Sequence, residues 1–268
     1  MAEHLCIQKL KAEMHTQIIG HQILHYPSVG STNDVARKLA EVEAREGIVV
    51  LADEQTAGRG RKGRRWLAPA GTSLLFSLLL RPPLAPQCQR LTMACSLATA
   101  EAIESYTGLD IELKWPNDLL AEKRKVGGIL TELGIEGELL KYAVVGIGLN
   151  VNTDFTLAEM AFLKNRATSL AQELGRPVAR ESLLASILNR LEECYLALCE
   201  GWSPHQEWAA RLIMLGQQVI VSKPGGELEG RAEGVDEDGA LLIRLKDGRM
   251  RRILAGDVSL HPMEDQRA

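Results

Sequence analysis

Two apolar runs, GIVVLADEQ (47–55) and GTSLLFSLLL (71–80), stand either side of the nine residues GRGRKGRRW (58–66). Runs of this length read as strands covered on both faces. The stretch between them carries five cations spaced by three glycines, and Pro69 and Gly71 prevent a helix before the second run. The chain must therefore join two buried strands by a cationic loop rather than by a crossover helix. That excludes the nucleotide fold which the letters invite. GRGRKG satisfies G-x-G-x-x-G, but the fingerprint works only where a helix N-terminus follows the glycines and meets the pyrophosphate. A P-loop is excluded as well, because no Gly-Lys-Ser/Thr occurs there.

The rest of the chain reads as an α+β protein. Residues 1–20 suggest an amphipathic helix or an arm, and 21–29 a strand. GSTNDVARKLAEVEA opens a helix, with Val35, Leu39 and Val42 on one face and the S-x-x-D start signal at Ser31 and Asp34. An Ala- and Leu-rich helix follows over 87–106 and ends near Gly108. Residues 111–151 read as a strand, a loop and a hairpin around Gly134–Gly137. Helical pattern returns from 157, with a further helix near 204–213. The texture then changes to short alternating runs broken by Gly-Gly, Asp-Gly and Asp-Gly, which are hairpin signals. A boundary near 214 divides the chain into 1–213 and a five-stranded β barrel over 214–268.

The net charge of -4 bears on what the loop binds. A nucleic-acid binder shows a basic balance or a broad basic face. Here one short cluster is basic and the whole is slightly acidic, so a compact anion suits the loop better than a long polyanion. The arginines supply forked donors for carboxylate or phosphate oxygens, and Trp66 supplies a flat face for a ring. The plain alternative is a solvated loop anchored by its tryptophan. The five cysteines form no C-x-x-C pair and no zinc-ligand spacing, which points to reduced thiols in a cytoplasmic protein. The N-terminus lacks a signal peptide's apolar stretch, and no segment reaches the length of a membrane span.

Four further motifs are candidates for a site. KWPNDLL (114–120) packs Lys114, Trp115, Asn117 and Asp118 around Pro116; it is either a Pro-Asn-Asp turn or a site with a positioned charge at a strand end. RKVGGIL (124–130) adds Lys125 and the pair Gly127–Gly128 inside an apolar strand, which marks a bulge or a close approach. GIGLNV (146–151) repeats that theme before Asn150. GSTN (30–33) is either a simple helix cap or a cluster of neutral hydrogen-bonding groups.

The order S-T-N, E-x-Q-x-x-G-R-G-R-x-G-R-x-W, K-W-P-N-D, K-x-x-G-I-L, G-I-G-x-N-V resembles the biotin protein ligases (biotin–acetyl-CoA-carboxylase ligases) from about residue 21 to 260. The resemblance implies a catalytic domain like that of class II aminoacyl-tRNA synthetases, with a mixed, largely antiparallel sheet and helices, followed by an SH3-like β barrel. It implies that biotin and ATP, with Mg²⁺, form biotinyl-5′-AMP, and that a lysine of a biotin carboxyl carrier protein or domain then takes the biotinyl group. By the same match Ser31, Thr32, Asn33 and Gln55 face the ureido ring. Arg59 and Arg61 clamp carboxylate and phosphate, and both, with Gly60, Lys114, Gly127 and Gly128, belong to the biotin pocket. Trp66, Asn117 and Asn150 serve the nucleotide or the linker. Lys114 stabilises charge on the α-phosphate, Lys125 is a second candidate for that role, and Asp118 orients the target lysine. Metal-coordinating residues stay unassigned.

Many relatives carry a DNA-binding winged helix before the catalytic domain. The roughly 30 residues before Ser31 are too few for such a domain with its own core, so a ligase without DNA binding is the expectation. An exposed edge strand leaves a homodimer open. Two rival readings remain: a ligase of the same fold for lipoate or octanoate, and a nucleic-acid-binding module using the basic loop.

Overall fold

The computed structural model describes residues 4–83, 88–223 and 226–260. The chain starts with α1 (Ile7–Glu13), and the arm continuing from it is pinned to a later helix. There the buried Glu192 accepts hydrogen bonds from the amides of Gln17, Ile18 and Ile19 at 2.6–2.8 Å. Of the two readings of this segment, residues 4–20 follow the arm, with only the short helix α1 within it. Next come β1 (Gln22–Tyr26), α2 (Thr32–Glu41), β2 (Ile48–Ala52) and β3 (Ser73–Leu80). Every residue of β2 and β3 is buried, as their unbroken apolar runs require.

The 20-residue α3 (Cys88–Thr107) is followed by β4 (Glu112–Lys114), β5 (Asp118–Ala121), β6 (Arg124–Glu136) and β7 (Leu139–Asn150). Then come α4 (Leu170–Leu174), α5 (Arg180–Cys199) and α6 (His205–Ala210). The expected start of α3 at 87, the Pro224–Gly225 part of the Gly-Gly turn, and the end of the chain from 261 lie outside the described residues.

Seven strands form one sheet in the order β1-β2-β3-β7-β6-β5-β4. Only β1 and β2 are parallel; the remaining pairs are antiparallel. The alternation of β3 divides its side chains between two layers. Leu74, Phe76, Leu78 and Leu80 join the large core built with α3 and α5. On the opposite face Leu79 packs with Val50, Val144 and the α2 residues Ala36 and Ala40. Ser77 points to this α2 face as well, and the functional groups gather there.

The second sheet holds β8 (Gln218–Lys223), β9 (Gly226–Val235), β10 (Leu241–Arg244), β11 (Met250–Ile253) and β12 (Asp257–Leu260). Its order is β11-β10-β9-β8-β12, with antiparallel pairs throughout. Five short strands were expected here. Among the described residues the two outer strands, β11 and β12, are not paired with each other. Val219, Val221, Leu241 and Ile243 belong to the same buried cluster as Trp115 and the core of the large sheet. Trp115 Nε1 donates to Gly239 O at 3.0 Å, which binds the two sheets at a buried point. Among the described residues no helix is long and apolar enough to cross a membrane.

Candidate active site

A cavity of about 1920 Å³ opens on the α2 face of the large sheet and is closed on one side by β12. The glycines of the central strands are why room exists there. Gly146 and Gly148 of β7 and Gly128 of β6 present bare backbone on this face. A Cβ at Gly146 would lie 2.0 Å from Asn33 Oδ1, and one at Gly148 would lie 2.7 Å from the Trp66 ring. Backbone approach of this kind needs glycine.

At the β3–β7 end the groups are neutral and tightly interlocked. Ser31 stands at the N-cap of α2, yet its side chain makes no capping hydrogen bond. Gln55 does that work from outside the helix, its Oε1 accepting from Thr32 N at 2.8 Å and from Thr32 Oγ1 at 3.1 Å. Ser77 Oγ lies 2.7 Å from Thr32 Oγ1 and 2.6 Å from Asn33 Oδ1. Asn33 Nδ2 donates to Glu132 Oε2 at 2.7 Å. Within GSTN the side chains of Thr32 and Asn33 are held by partners from β3, β6 and the loop after β2.

Across β6 and β5 the cavity turns charged. The register of β5 on β6 shifts between Leu119 and Leu120, so that Gly127 faces Leu119 and Lys125 faces Leu120. This bulge brings Lys125 to the same face as Gly128, where a Cβ would meet Lys125 Nζ at 3.2 Å. The bulge and the pocket wall, alternatives from sequence, are one feature. Lys125 Nζ donates to Asp118 Oδ1 at 2.5 Å and lies 5.5 Å from the centroid of the Trp66 ring. Lys114, at the end of edge strand β4, lines the same cavity with Asn117. Asn117 Nδ2 donates to Ile129 O at 2.6 Å, which ties the KWPND turn to β6.

The basic loop covers this space. Its ends are paired by a backbone bridge between Arg59 and Arg65 and by Trp66 N donating to Gly58 O at 2.9 Å. Lys62 adopts a left-handed φ of 56° at its tip. Arg59 forks onto Asp34 of α2 at 2.6 and 2.8 Å and approaches Glu132 at 3.7 Å. The hydrogen bond from Arg59 holds the Asp34 carboxyl below the usual carboxylate range, against burial. Further along, Arg61, Lys62 and Arg64 converge on Asp257 of β12. Burial pushes the Asp257 carboxyl up, but the Lys62 hydrogen bond and the charges of Arg64, Lys62 and Arg61 overcome it, and the net shift is downward.

Among the sequence-derived site residues, Ser31, Thr32, Asn33, Gln55, Arg59, Gly60, Arg61, Trp66, Lys114, Asn117, Asp118, Lys125 and Gly128 all line this one cavity. Gly127 and Asn150 are not among its lining residues. Gly127 packs under the sheet, where a Cβ would meet Gly148 O at 3.2 Å. Asn150 is buried, its Nδ2 donating to Thr168 O at 3.1 Å. Sequence reasoning missed Ser77, Glu132, Asp34 and Asp257 as partners. Ser77, the polar residue inside SLLFSLLL, was the one legible signal among them. Among the described residues no three His, Cys, Asp or Glu side chains are arranged to hold a metal ion.

A large mixed sheet with a small antiparallel sheet at its side, and a neutral pocket running into a cation-lined one, define the biotin/lipoate ligase class. The family model for the Biotin/lipoate A/B protein ligase family matches residues 26–150, and that for the Biotin protein ligase C terminal domain matches 214–261. The biotin–[acetyl-CoA-carboxylase] ligase of Paracoccus denitrificans is 34% identical over 224 residues, covering 82% of this chain and 92% of that one. The bifunctional ligase/repressor BirA of Bacillus subtilis is 33% identical over 258 residues, covering 94% and 78%. Among solved structures, the biotin protein ligase of Aquifex aeolicus in complex with biotin and ATP superposes with a TM-score of 0.77 at 32% identity, covering 90% of this chain and 99% of that one. The chain belongs to the biotin protein ligase family and is an enzyme of that family, a biotin–protein ligase.

Proposed function

We propose that the chain activates biotin as biotinyl-5′-AMP and passes the biotinyl group to a lysine of a biotin carboxyl carrier protein or domain. One observation carries this reading: a single cavity grades from neutral, hydrogen-bonding walls to paired cations beneath a basic loop. A ureido ring has two N–H donors and one carbonyl, which suit Ser31, Thr32, Asn33 and Gln55. The valerate carboxylate then reaches toward Lys125 and Arg59, with the chain of the vitamin beside Trp66. The indole Nε1–H of Trp66 is buried with no partner among the described residues, which supports an acceptor group placed beside it. The nucleotide extends toward Lys114, Asn117 and the second sheet.

In the first step a biotin carboxylate oxygen attacks the α-phosphorus and pyrophosphate leaves. Two anions must meet, so preorganised cations are the catalytic requirement. Arg61, Lys114 and Lys125 supply them, and Mg²⁺ enters with the triphosphate as part of the substrate. In the second step the carrier lysine attacks the acyl carbon and AMP leaves. Asp118 accepts from the incoming amine once Lys125 turns to the ligand. The covering loop keeps water from the mixed anhydride. Gly60 leaves space for the backbone to approach the ligand. Gly127 and Asn150 act from behind, supporting the strands that carry Gly128 and Gly148.

The same reading assigns residues 1–213 to a catalytic domain like that of class II synthetases and 214–268 to an SH3-like unit. Arg59, Arg61, Arg64 and Arg65 of the basic loop line the cavity, which supports a compact anionic ligand over DNA. The test is direct. Incubation with ATP, Mg²⁺ and either biotin or lipoate, followed by mass spectrometry, is expected to give biotinyl-5′-AMP and no lipoyl-AMP. Lipoyl-AMP alone would reverse the assignment of the acid.

A further inference from the structure

Lys125 sits where the large sheet changes neighbours. β7 pairs with β6 as far as Leu149 opposite Gly127. Towards the start of β6 a later segment takes the place of β7. Lys125 N donates to Arg166 O and Thr168 N donates to Lys125 O, both at 2.9 Å, and Lys125 forms a parallel bridge with Ala167. This short edge fixes the backbone from which the Lys125 side chain reaches the cavity. One carboxylate ties the edge down. Glu173 of α4, with a side chain 8% exposed, accepts from Arg124 Nη2 at 2.7 Å and, on the same oxygen, from Thr168 Oγ1. Adjacent residues of a strand point to opposite faces, so Glu173 grips β6 from behind through Arg124 while Lys125 lines the cavity. Thr168 O in turn accepts from Asn150 Nδ2 at 3.1 Å. Neither Glu173 nor Thr168 is among the residues that line the cavity.

We infer that Glu173 is a positioning residue for the charged end of the cavity: it locks the 166–168 segment against β6 and so sets the place of Lys125, and of Asn150 through Thr168. This rests on the reading that Lys125 meets the anions of the first step. A misplacement of about 1 Å in such a group costs up to about 10²-fold in rate. Arg124 and Thr168 both depend on that single oxygen of Glu173, whereas the neutral end of the cavity is held by Gln55, Ser77 and Glu132 instead.

Single-turnover formation of biotinyl-5′-AMP by the full-length chain, at saturating biotin and ATP with Mg²⁺, reads the effect in a double-mutant cycle with Lys125. Glu173→Ala is expected to slow adenylation about ten- to hundredfold in the parent. In the Lys125→Ala background the same change is expected to cost less than about threefold, because the group it displaces is already absent. Glu173→Gln keeps an acceptor for both donors and should recover most of the parent rate, which separates positioning from a loss of fold. Thr168→Val removes only the hydroxyl link; it should give the same pattern on a smaller scale and serves where Glu173→Ala does not fold. Equal losses in the two backgrounds overturn the inference. So does an unchanged rate in Glu173→Ala or, where that chain does not fold, in Thr168→Val. The underlying reading fails separately. If Lys125→Ala forms the adenylate as fast as the parent, Lys125 does not meet the anions, whatever Glu173 holds.

Discussion

Gly146 carries the sharpest constraint on any single residue of the site. Its missing side chain is occupied by Asn33, whose Oδ1 would lie 2.0 Å from an added Cβ. Asn33 cannot yield easily, because Ser77 holds its oxygen at 2.6 Å and Glu132 holds its nitrogen at 2.7 Å. A methyl group at 146 must therefore break one of those contacts or push the α2 N-terminus outward. Overpacking of this kind costs about 1–3 kcal/mol. Gly146→Ala is expected to raise KM for biotin at least about tenfold, equivalent to about 1.4 kcal/mol, while KM for ATP stays within about twofold. Steady-state kinetics with each substrate varied in turn checks this. Equal increases in both would mean that the whole cavity, and not its neutral end, had been disturbed.

At the scale of elements, α2 and the basic loop are joined by the fork of Arg59 on Asp34. The folded-state pKa of Asp34 is depressed, so its contribution is present above the ordinary carboxylate pKa, about 3.9, and is lost as pH falls through the folded value. Both side chains are about one-third exposed, which limits the pair to about 0.2–1 kcal/mol. Asp34→Asn should therefore lower the thermal midpoint slightly at pH 6, and the gap to the parent should close on acidification below about pH 4. A gap that does not narrow at all as pH falls below the ordinary carboxylate range would assign the stabilisation to something other than this charge. Much at this scale was legible in sequence. The unbroken apolar runs of β2 and β3 announced two-sided burial, and the Gly134–Gly137 hairpin and the cluster of short C-terminal strands followed from turn chemistry. The N-terminal arm was harder to read, because its path is set by Glu192 on a helix some 170 residues away. The facing of Lys125 escaped for a related reason: motif letters list residues but not the bulge that turns them. Gly127 and Asn150 sit in motifs whose other members reach the cavity; strand parity turns Gly127 away from the face of Gly128, whereas Asn150 shares the parity of Gly146 and Gly148 but lies at the end of β7, held by Thr168 O.

The whole molecule is built so that its two sheets share a core, and this governs how it should come apart. Trp115, 1% exposed, lies on the β4–β5 turn of the large sheet and donates to Gly239 O of the small one. The approach to the small sheet is also paired to the large one, with Leu113 N donating to Arg211 O at 2.9 Å and Ile213 N to Leu113 O at 3.1 Å. Met214, 1% exposed, and the inward residues of β8 and β10 complete the same apolar cluster. Separating the sheets would bring the Trp115 indole and its neighbours into water, and full exposure of one large apolar side chain alone costs about 1.5–3 kcal/mol. The KWPND turn would be unsupported at the same moment, and with it Lys114, Asn117 and Asp118. Calorimetry is therefore expected to show one cooperative transition for the full chain, with calorimetric and van't Hoff enthalpies in agreement. Trp115→Phe keeps most of the apolar area but loses the bond to Gly239, and should lower that single midpoint without splitting it. Two resolved transitions in the parent would show instead that the small sheet melts alone, and the ion pairs of Arg61, Lys62 and Arg64 with Asp257 would then be lost before the large sheet unfolds.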